Sequence, residues 1–259
     1  SKIEEKITDK TKAIMVVHTM GRPCEMEPIM EIAQRHNLIV IEDSCESHGA
    51  KYKDVFIGNM GDISCFSFYI AHLICCGEGG MVSTNRQDLY EAVYSTRSHG
   101  RSGLYFDHPL FGLNSKMNDL EASLGLEAVE VFWETFNKRH DTMKFLRNEC
   151  RAFDDLAFFS EEDEGNVNCP HGFSITLKES GKLNTLTSHL EKKDIHWKRN
   201  FGCIPTQHKA FSYLGYKLGD FPESEHVGDN GIHLGVHQHL SDDDVKYMAV
   251  SIKEAFELL

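Results

Sequence analysis

Four side chains within the first 72 residues are of types that can catalyse reactions: Asp43, Glu46, Ser67 and His72. A carboxylate such as Asp43 at the end of a buried strand can pair with a cationic nitrogen, for example that of a protonated pyridine ring. The Ser67 hydroxyl can bind a phosphate group, and His72 is of the residue type that most often acts as a general acid or base near neutral pH. Taken singly, each also has an ordinary structural explanation, such as a capped turn or a packed histidine.

The segments before Asp43 predict a βαβ unit. The apolar runs AIMVVH at residues 13–18 and LIVI at residues 38–41 are typical of buried parallel strands, and the amphipathic segment 25–36 is typical of a helix. The second run leads directly to Asp43. Because ligands of open α/β sheets bind at the carboxyl ends of the strands, this position favours a functional role for Asp43.

Ser67 and His72 lie in a second informative stretch, residues 62–84. Two β-prone segments there flank a polar turn that is rich in glycine. This pattern indicates a functional loop between two strands.

The remaining chain predicts a second, smaller domain. Residues 118–150 are typical of a long helical tract, and the acidic stretch 160–165 is typical of an exposed turn before further strands and helices. We therefore predict an α/β fold: a large domain with a mostly parallel sheet at residues 1–135, then a bridging helix and a small α+β domain at residues 136–259.

The composition excludes several classes of protein. The formal net charge of −13 comes from acidic residues spread over many segments, which disfavours binding to nucleic acid. No window approaches about eighteen consecutive apolar residues, and residues 1–12 contain no apolar signal core. We expect a cytoplasmic protein that binds neither nucleic acid nor membrane.

The eight cysteines show no CxxC pair and no regular spacing. This pattern does not predict a metal ion or an iron–sulfur cluster, so reduced thiols are expected. Cys75 and Cys76 are adjacent, which disfavours a disulfide between them and favours a packing role.

Two segments together resemble a known family. Residues 11–52 read TKAIMVVHTMGRPCEMEPIMEIAQRHNLIVIEDSCESHGAKY, and residues 61–85 read GDISCFSFYIAHLICCGEGGMVSTN. Their order and spacing resemble the DegT/StrS sugar aminotransferase family of vitamin-B6-dependent, fold-type-I enzymes. The resemblance implies a partial fold-type-I transferase domain that uses pyridoxal 5′-phosphate or pyridoxamine 5′-phosphate as cofactor.

The resemblance assigns expected roles to individual residues. The aspartate of the family's EDxxxxHGA stretch pairs with the pyridine nitrogen, and the matching residue is Asp43. The family's SFYxxK stretch supplies a cofactor hydroxyl and the Schiff-base lysine, and here these positions are Ser67 and His72. Glu46 is expected beside the cofactor ring. Asn114, in GLNSKM, matches the family's GxNxR pattern and is expected to reach the cofactor phosphate of a neighbouring subunit, which implies a homodimer.

His72 departs from the aminotransferase pattern, because an imidazole cannot form the covalent Schiff base that lysine forms. The cofactor is therefore expected to be held noncovalently. In this respect the chain is similar to the nucleotide-sugar 3-dehydratases of the family, of the GDP-4-keto-6-deoxymannose 3-dehydratase type, which also carry histidine there. The similarity extends to HTMGRP, to EDSCES with Glu46 in place of the usual glutamine, and to GVHQ at residues 235–238.

This subtype implies C3 dehydration of a nucleotide-linked 4-keto-6-deoxyhexose, with glutamate as amino donor, in deoxysugar and lipopolysaccharide O-antigen biosynthesis. His72 is the implied acid and base. His237 in GVHQ either lines the sugar site or is a core or capping histidine. Related CDP-sugar 3-dehydrases use a [2Fe–2S] cluster, but residues 101–125 contain no cysteine, so we expect neither cluster nor reductase.

Two other functions remain open on the sequence. One is a sugar aminotransferase that has lost its lysine, or an inactive paralogue. The other is a non-enzymatic scaffold, or a truncated fragment that does not hold the cofactor, since a segment usual in the family ahead of TKAIMVVH is expected to be missing here. The presence of Asp43, Ser67 and Asn114 together argues against a scaffold, which would need none of them.

Overall fold

The computed structural model describes residues 2–103, 106–201 and 204–259. These residues form two compact units. The first contains the residues up to Phe136 together with Glu162–His171, and the second contains Asn137–Glu161 and Gly172–Leu259. That residues 1–135 and 136–259 are separate folding domains stays a prediction.

The first unit is built on a four-stranded sheet. Its strands and helices are β1 (Ala13–Val17), α1 (Met26–His36), β2 (Ile39–Asp43), β3 (Lys51–Tyr52), β4 (Val55–Phe56), β5 (Ile63–Ser67), β6 (Gly80–Ser83), α2 (Gln87–Thr96), α3 (Asp119–Glu130) and the beginning of α4 (Phe132–Glu149). The sheet order is β1-β2-β5-β6, in which the first three strands are parallel and β6 is antiparallel to β5. The predicted α/β class with a mostly parallel sheet is confirmed.

The βαβ unit forms because α1 has one apolar face. Met26, Ile29, Ile32 and Ala33 are buried at helical spacing and join the core around Val40 of β2. The helix ends where Asn37 adopts a left-handed conformation and donates its N–H to the Ala33 carbonyl. The turn into β2 therefore follows the helix at once, and β2 runs parallel to β1 with Val17 opposite Asp43.

The helical tract predicted at residues 118–150 is divided into two helices in the structure. The first, α3, begins with a capping box between Asn118 and Glu121. At Val131 the backbone leaves the helical region, with φ −96° and ψ 7°, and α4 begins at Phe132. The rings of Phe132 and Trp133 then pack edge to face, with centroids 4.9 Å apart, directly after the break.

The second unit is a smaller α+β arrangement. After the end of α4 it contains β7 (Ala157–Phe159), β8 (Phe173–Leu177), α5 (Leu183–Lys192), β9 (Trp197–Arg199), α6 (Pro222–Asn230), β10 (Gly231–Leu234) and α7 (Asp242–Phe256). The sheet order is β7-β8-β10-β9, with antiparallel pairing throughout. Leu186 of α5 and Ile252 of α7 are fully buried in the same apolar cluster as Ile175 of β8.

A buried carboxylate in β2 connects that strand to the residue after β1 and to the turn before β5. Glu42 of β2 is fully buried and accepts hydrogen bonds from the backbone N–H groups of Gly58, Met60 and Gly61, at 2.9, 3.0 and 2.5 Å. It also accepts one from Nε2 of His18, at 3.2 Å. Because Nδ1 of His18 accepts the N–H of Cys24 at 3.0 Å, the ring proton is on Nε2.

The hydrogen bonds determine the ionisation of Glu42. Burial alone raises its pKa, but the donors from His18 and from the Gly61 and Gly58 amides outweigh burial and hold the pKa below the usual value for glutamate. Glu42 is therefore an anion with four donors around it.

Among the helices of the described ranges, none is long and apolar enough to cross a membrane. The cytoplasmic location inferred from the sequence stays a prediction.

Replacing Glu42 by glutamine is expected to lower the free energy of unfolding at pH 7 by about 2–4 kcal/mol. The new amide N–H₂ would face N–H groups that now point at an oxygen. Because the folded-state pKa of Glu42 is lowered, its contribution is complete above the unfolded-state pKa and is lost as the pH falls through the folded-state pKa. The difference between Glu42→Gln and the parent should therefore shrink in acid.

Urea unfolding of both proteins at pH 7 and in acid measures this difference. The matched control is Glu31→Gln on the exposed side of α1, which should change stability by less than about 0.5 kcal/mol. Equal unfolding midpoints for Glu42→Gln and the parent at pH 7 would contradict the assigned role of Glu42.

Candidate active site

Asp43 is at the carboxyl end of the parallel sheet. It is the last residue of β2 and lies between Val17 of β1 and Cys65 of β5 in the strand register. Its side chain is half-buried, and Oδ1 accepts the N–H of Cys45 at 3.2 Å. This bond fixes the carboxylate at the edge of the sheet where ligands of α/β proteins bind.

His72 lies in the loop that follows β5. Its N–H donates to the Tyr69 carbonyl at 3.0 Å, while Phe68 and Cys76 hydrogen-bond across the loop at 2.9 Å. Burial lowers the pKa of the His72 imidazole, and the nearby Asp43 carboxylate partly opposes that shift. At neutral pH the ring is therefore uncharged and able to accept a proton.

The ring of His72 is surrounded by other rings. The centroids of His171, His48 and Tyr69 lie 5.4, 5.9 and 6.3 Å from its own. Burial, with a smaller contribution from His72, lowers the pKa of His48 to about 4. Nδ1 of His48 accepts the N–H of Ile74 at 3.3 Å, which agrees with a neutral ring.

Glu46 adds a second carboxylate to this group. Its Oε2 accepts the N–H of Met20 at 2.6 Å, and its Oε1 lies 3.5 Å from Nε2 of His171. Burial raises the pKa of Glu46, and the negative charge of Asp43 raises it further, although the Met20 N–H partly compensates. Asp43, Glu46 and His72 are thus brought into one cluster, and the roles predicted for them stay predictions.

Ser67 ends the neighbouring strand, and its hydroxyl is half-buried. The Oγ atom of Ser67 accepts the N–H of Tyr69 at 3.2 Å, so Ser67 lies at the start of the loop that carries His72. The register places Ser67 opposite Gly80 of β6.

Two further predicted residues, Asn114 and His237, are exposed. Asn114 is exposed, its Oδ1 accepts a hydrogen bond from Lys116, and its backbone forms a bridge with Ser98. His237 is exposed in the second unit, in the loop between β10 and α7, with its ring 4.8 Å from that of His239. Their predicted roles in phosphate and sugar binding stay predictions.

His171 was missed by the sequence analysis. It is separated by 99 positions from His72, and its context PHGF matches no motif that the analysis used. The only signal was its residue type, which does not distinguish it from the other histidines of the chain.

Seven cysteines in the described part of the chain are free thiols, and Cys203 lies outside that part. The thiols of Cys45 and Cys65 lie within 4.8 Å of each other and of a carboxylate oxygen of Asp43. Burial raises the pKa of both thiols most, followed by a hydrogen bond to Asp43 for Cys45 and by the charge of Asp43 for Cys65. Their geometry therefore favours neutral thiols over the thiolates that bind metal ions.

Comparisons with known proteins agree with this geometry. The model of the DegT/DnrJ/EryC1/StrS aminotransferase family matches residues 1–253. The chain is 34% identical over 257 residues to GDP-perosamine synthase of Escherichia coli O157:H7, covering 99% of this chain and 69% of that protein. It is 43% identical over 266 residues to GDP-perosamine synthase of Caulobacter vibrioides, covering 98% of this chain and 68% of that protein.

A dehydratase is also among the relatives. The chain is 30% identical over 288 residues to dTDP-4-dehydro-2,6-dideoxy-D-glucose 3-dehydratase of Saccharopolyspora spinosa, covering 98% of this chain and 61% of that protein.

Solved structures share the fold. A DegT/DnrJ/EryC1/StrS aminotransferase from Brucella abortus superposes with a TM-score of 0.86 at 25% identity, covering 98% of this chain and 66% of that one. The aminotransferase from Psychrobacter cryohalolentis gives a TM-score of 0.87 at 25% identity, covering 99% and 71%. The chain thus spans about two thirds of the proteins that it matches, and the predicted resemblance is confirmed. The chain belongs to the DegT/DnrJ/EryC1/StrS aminotransferase family, whose members are pyridoxal-phosphate-dependent enzymes that aminate or dehydrate nucleotide-linked sugars.

Proposed function

We propose that this protein removes the C3 hydroxyl of a nucleotide-linked 4-keto-6-deoxy sugar, with pyridoxamine phosphate as cofactor and glutamate as amino donor. The observation that carries the proposal is His72, which stands where the family's cofactor-binding lysine is expected. An imidazole can move protons but has no primary amine. The reaction then depends on acid–base chemistry beside a noncovalently bound cofactor.

The residues at the sheet edge fit this cofactor. Asp43 presents a half-buried carboxylate that accepts the N–H of Cys45 and a hydrogen bond from the Cys45 thiol. Because a carboxylate can accept about four hydrogen bonds, the group can still pair with a cationic ring nitrogen. Nδ1 of His72 is buried, and no hydrogen bond reaches it from the residues that the structure describes. A buried polar atom without a hydrogen bond is typical of a site that a ligand or water completes.

Each residue has one task in the proposed site. When bound, the cofactor supplies an amine and a protonated aromatic ring that takes up electron density. Asp43 would pair with the ring nitrogen and keep it protonated, Ser67 would bind the phosphate, and Glu46 would contact the ring. These residues would hold the cofactor without a covalent bond to the chain.

His72 moves the protons. Its lowered pKa leaves the imidazole neutral at pH 7, so a ring nitrogen can take up the proton released when a C–H bond breaks. The electron pair of that bond would then drive the loss of the C3 oxygen. The resulting imidazolium then donates that proton to the C3 oxygen as the C3–O bond breaks and its electron pair leaves with the oxygen. Water departs, and His72 is neutral again.

A second candidate is transamination, because two relatives with 34% and 43% identity are named GDP-perosamine synthase. These names indicate that those relatives place an amine on the sugar. The histidine at position 72 favours dehydration, since a transaminase of this family would use a lysine there to form its covalent cofactor bond and to transfer protons.

The two reactions differ in their products. We expect the parent protein, with pyridoxamine phosphate, glutamate and a GDP-linked 4-keto-6-deoxyhexose, to form a sugar that lacks the C3 oxygen. His72→Asn keeps a polar side chain of similar shape but removes the base, and it should lower the rate by about 10²–10⁴-fold. Mass spectrometry of the nucleotide sugars measures both outcomes, with His196→Asn on the exposed surface as control.

A 4-amino sugar formed by the parent and by His72→Lys alike, with no deoxygenated product from either, would contradict the proposed dehydration. That result would instead favour the transaminase.

We also propose that the active protein is a homodimer. Helix α3 exposes four large apolar side chains, Leu120, Leu124, Leu126 and Val129, whose exposed fractions are 81, 59, 70 and 57%. An apolar surface of this kind is typical of a protein interface. A second copy of the chain fits because Asn114, predicted to serve the neighbouring subunit, is exposed close by in sequence.

Mixing two inactive variants tests whether subunits share the site. The variants His72→Asn and Asn114→Ala would be mixed in equal amounts so that their subunits exchange. If Asn114 serves the other subunit, the mixture should regain about a quarter of the parent activity. Each heterodimer would contain one intact site. Activity that stays at the level of the separate variants, although native mass spectrometry shows exchange, would contradict a shared site.

A further inference from the structure

His171 contacts the proposed base although it lies far away in the sequence. Its ring centroid is 5.4 Å from that of His72, with the planes tilted by 40°. The side chain of His171 is 10% exposed. An imidazole packed this closely against another imidazole affects both its orientation and its charge.

The chain holds His171 in place through backbone contacts. Val167 exchanges two hydrogen bonds of 2.9 Å with Lys51 of β3, and the N–H of Cys169 donates to the Gly21 carbonyl at 2.9 Å. Gly21 has φ +80°, and a Cβ there would lie 2.2 Å from the Cys169 carbonyl oxygen. Only glycine permits this approach, so the segment before His171 is fixed against β3 and the turn at Gly21.

Glu46 lies next to His171. Oε1 of Glu46 is 3.5 Å from Nε2 of His171, and the Glu46 side chain is 18% exposed. The other oxygen of Glu46 is held by the N–H of Met20, which has a left-handed φ of +56°. Two largely buried ionisable groups at this distance avoid a net charge by sharing one proton.

We propose that His171 is a positioning residue for His72, and that the Glu46–His171 pair keeps His72 in its neutral, proton-accepting form. The inference rests on the proposed function, because only an acid–base role requires control of the charge on His72. The proposal also explains why a glutamate at position 46 lies 3.5 Å from a histidine at position 171.

The sign of the effect follows from the charges that face His72. Asp43 favours the imidazolium form of His72, and His48 stays neutral at pH 7. In the proposed pair the shared proton lies partly on His171, and that positive charge disfavours a second one on His72. Removing His171 deletes this repulsion and leaves Glu46 without the imidazole that lies 3.5 Å from its carboxylate.

A double-mutant cycle tests the coupling. In His171→Phe, an aromatic ring of similar shape remains, but the pKa of His72 should rise by about one unit, given the effective dielectric of a partly buried site. In the Glu46→Gln background, His171 has no counter-charge and becomes neutral, so the same substitution should change the His72 pKa little. NMR titration of labelled histidines in the protein without cofactor measures all four pKa values.

The kinetic readout is the acid limb of the pH profile. Where dehydration is observed, His171→Phe should move the acid limb of kcat/KM to higher pH, which a purely packing role would not do. His196→Phe, on the exposed surface of the second unit, is the control and should leave both readouts unchanged.

The outcomes separate the two proposals. An unchanged His72 pKa in His171→Phe overturns the positioning role, whether or not the parent dehydrates its substrate. A rise in the His72 pKa that His171→Phe causes in the parent but not in the Glu46→Gln background supports the positioning role. If the parent then shows no dehydration, only the proposed function is contradicted.

Discussion

The candidate site depends on the burial of Glu42. Successive residues of a strand point to opposite faces of the sheet, so fixing Glu42 on one face fixes Asp43 on the other. Four donors hold Glu42, from the turn before β5 and from His18 after β1. The same carboxylate thus links the ends of β1 and β2 to the turn that leads into β5. A slip of one residue in β2 would exchange the two carboxylates and bury Asp43.

Burial also sets the charges of the site. It lowers the pKa of His48 and His72 and raises that of Glu46, so each group is shifted toward its neutral form. A neutral imidazole beside carboxylates is suited to accept a proton and then to give it to a leaving oxygen. The positions that carry this chemistry come from strand ends and the loop after β5, whereas the charge control proposed for His171 comes from a segment about 100 residues later.

Local patterns in the sequence predicted a large part of this arrangement. Apolar runs and one amphipathic helix were enough to place Asp43 at the end of a parallel strand, because those signals depend on neighbours only a few residues apart. The position of His72 was interpretable only through its spacing within the SFYxxK-like stretch. The break at Val131 was not predictable, since no glycine or proline marks it and the packing of nearby aromatic rings follows it. His171 reaches the site through long-range backbone contacts, which periodicity does not reveal.

The central claim is a noncovalent vitamin-B6 site built on Asp43 and His72. Retention of the cofactor by the protein tests this claim most directly. The parent protein and Asp43→Asn would each be mixed with pyridoxamine phosphate or pyridoxal phosphate, and unbound ligand would be removed. Absorbance would then measure the retained cofactor. Treatment with borohydride followed by peptide mass spectrometry would detect any covalent lysine adduct. We predict retained pyridoxamine phosphate in the parent, much weaker retention in Asp43→Asn, and no lysine adduct. A borohydride-fixed lysine adduct, or retention of neither ligand, would contradict the account.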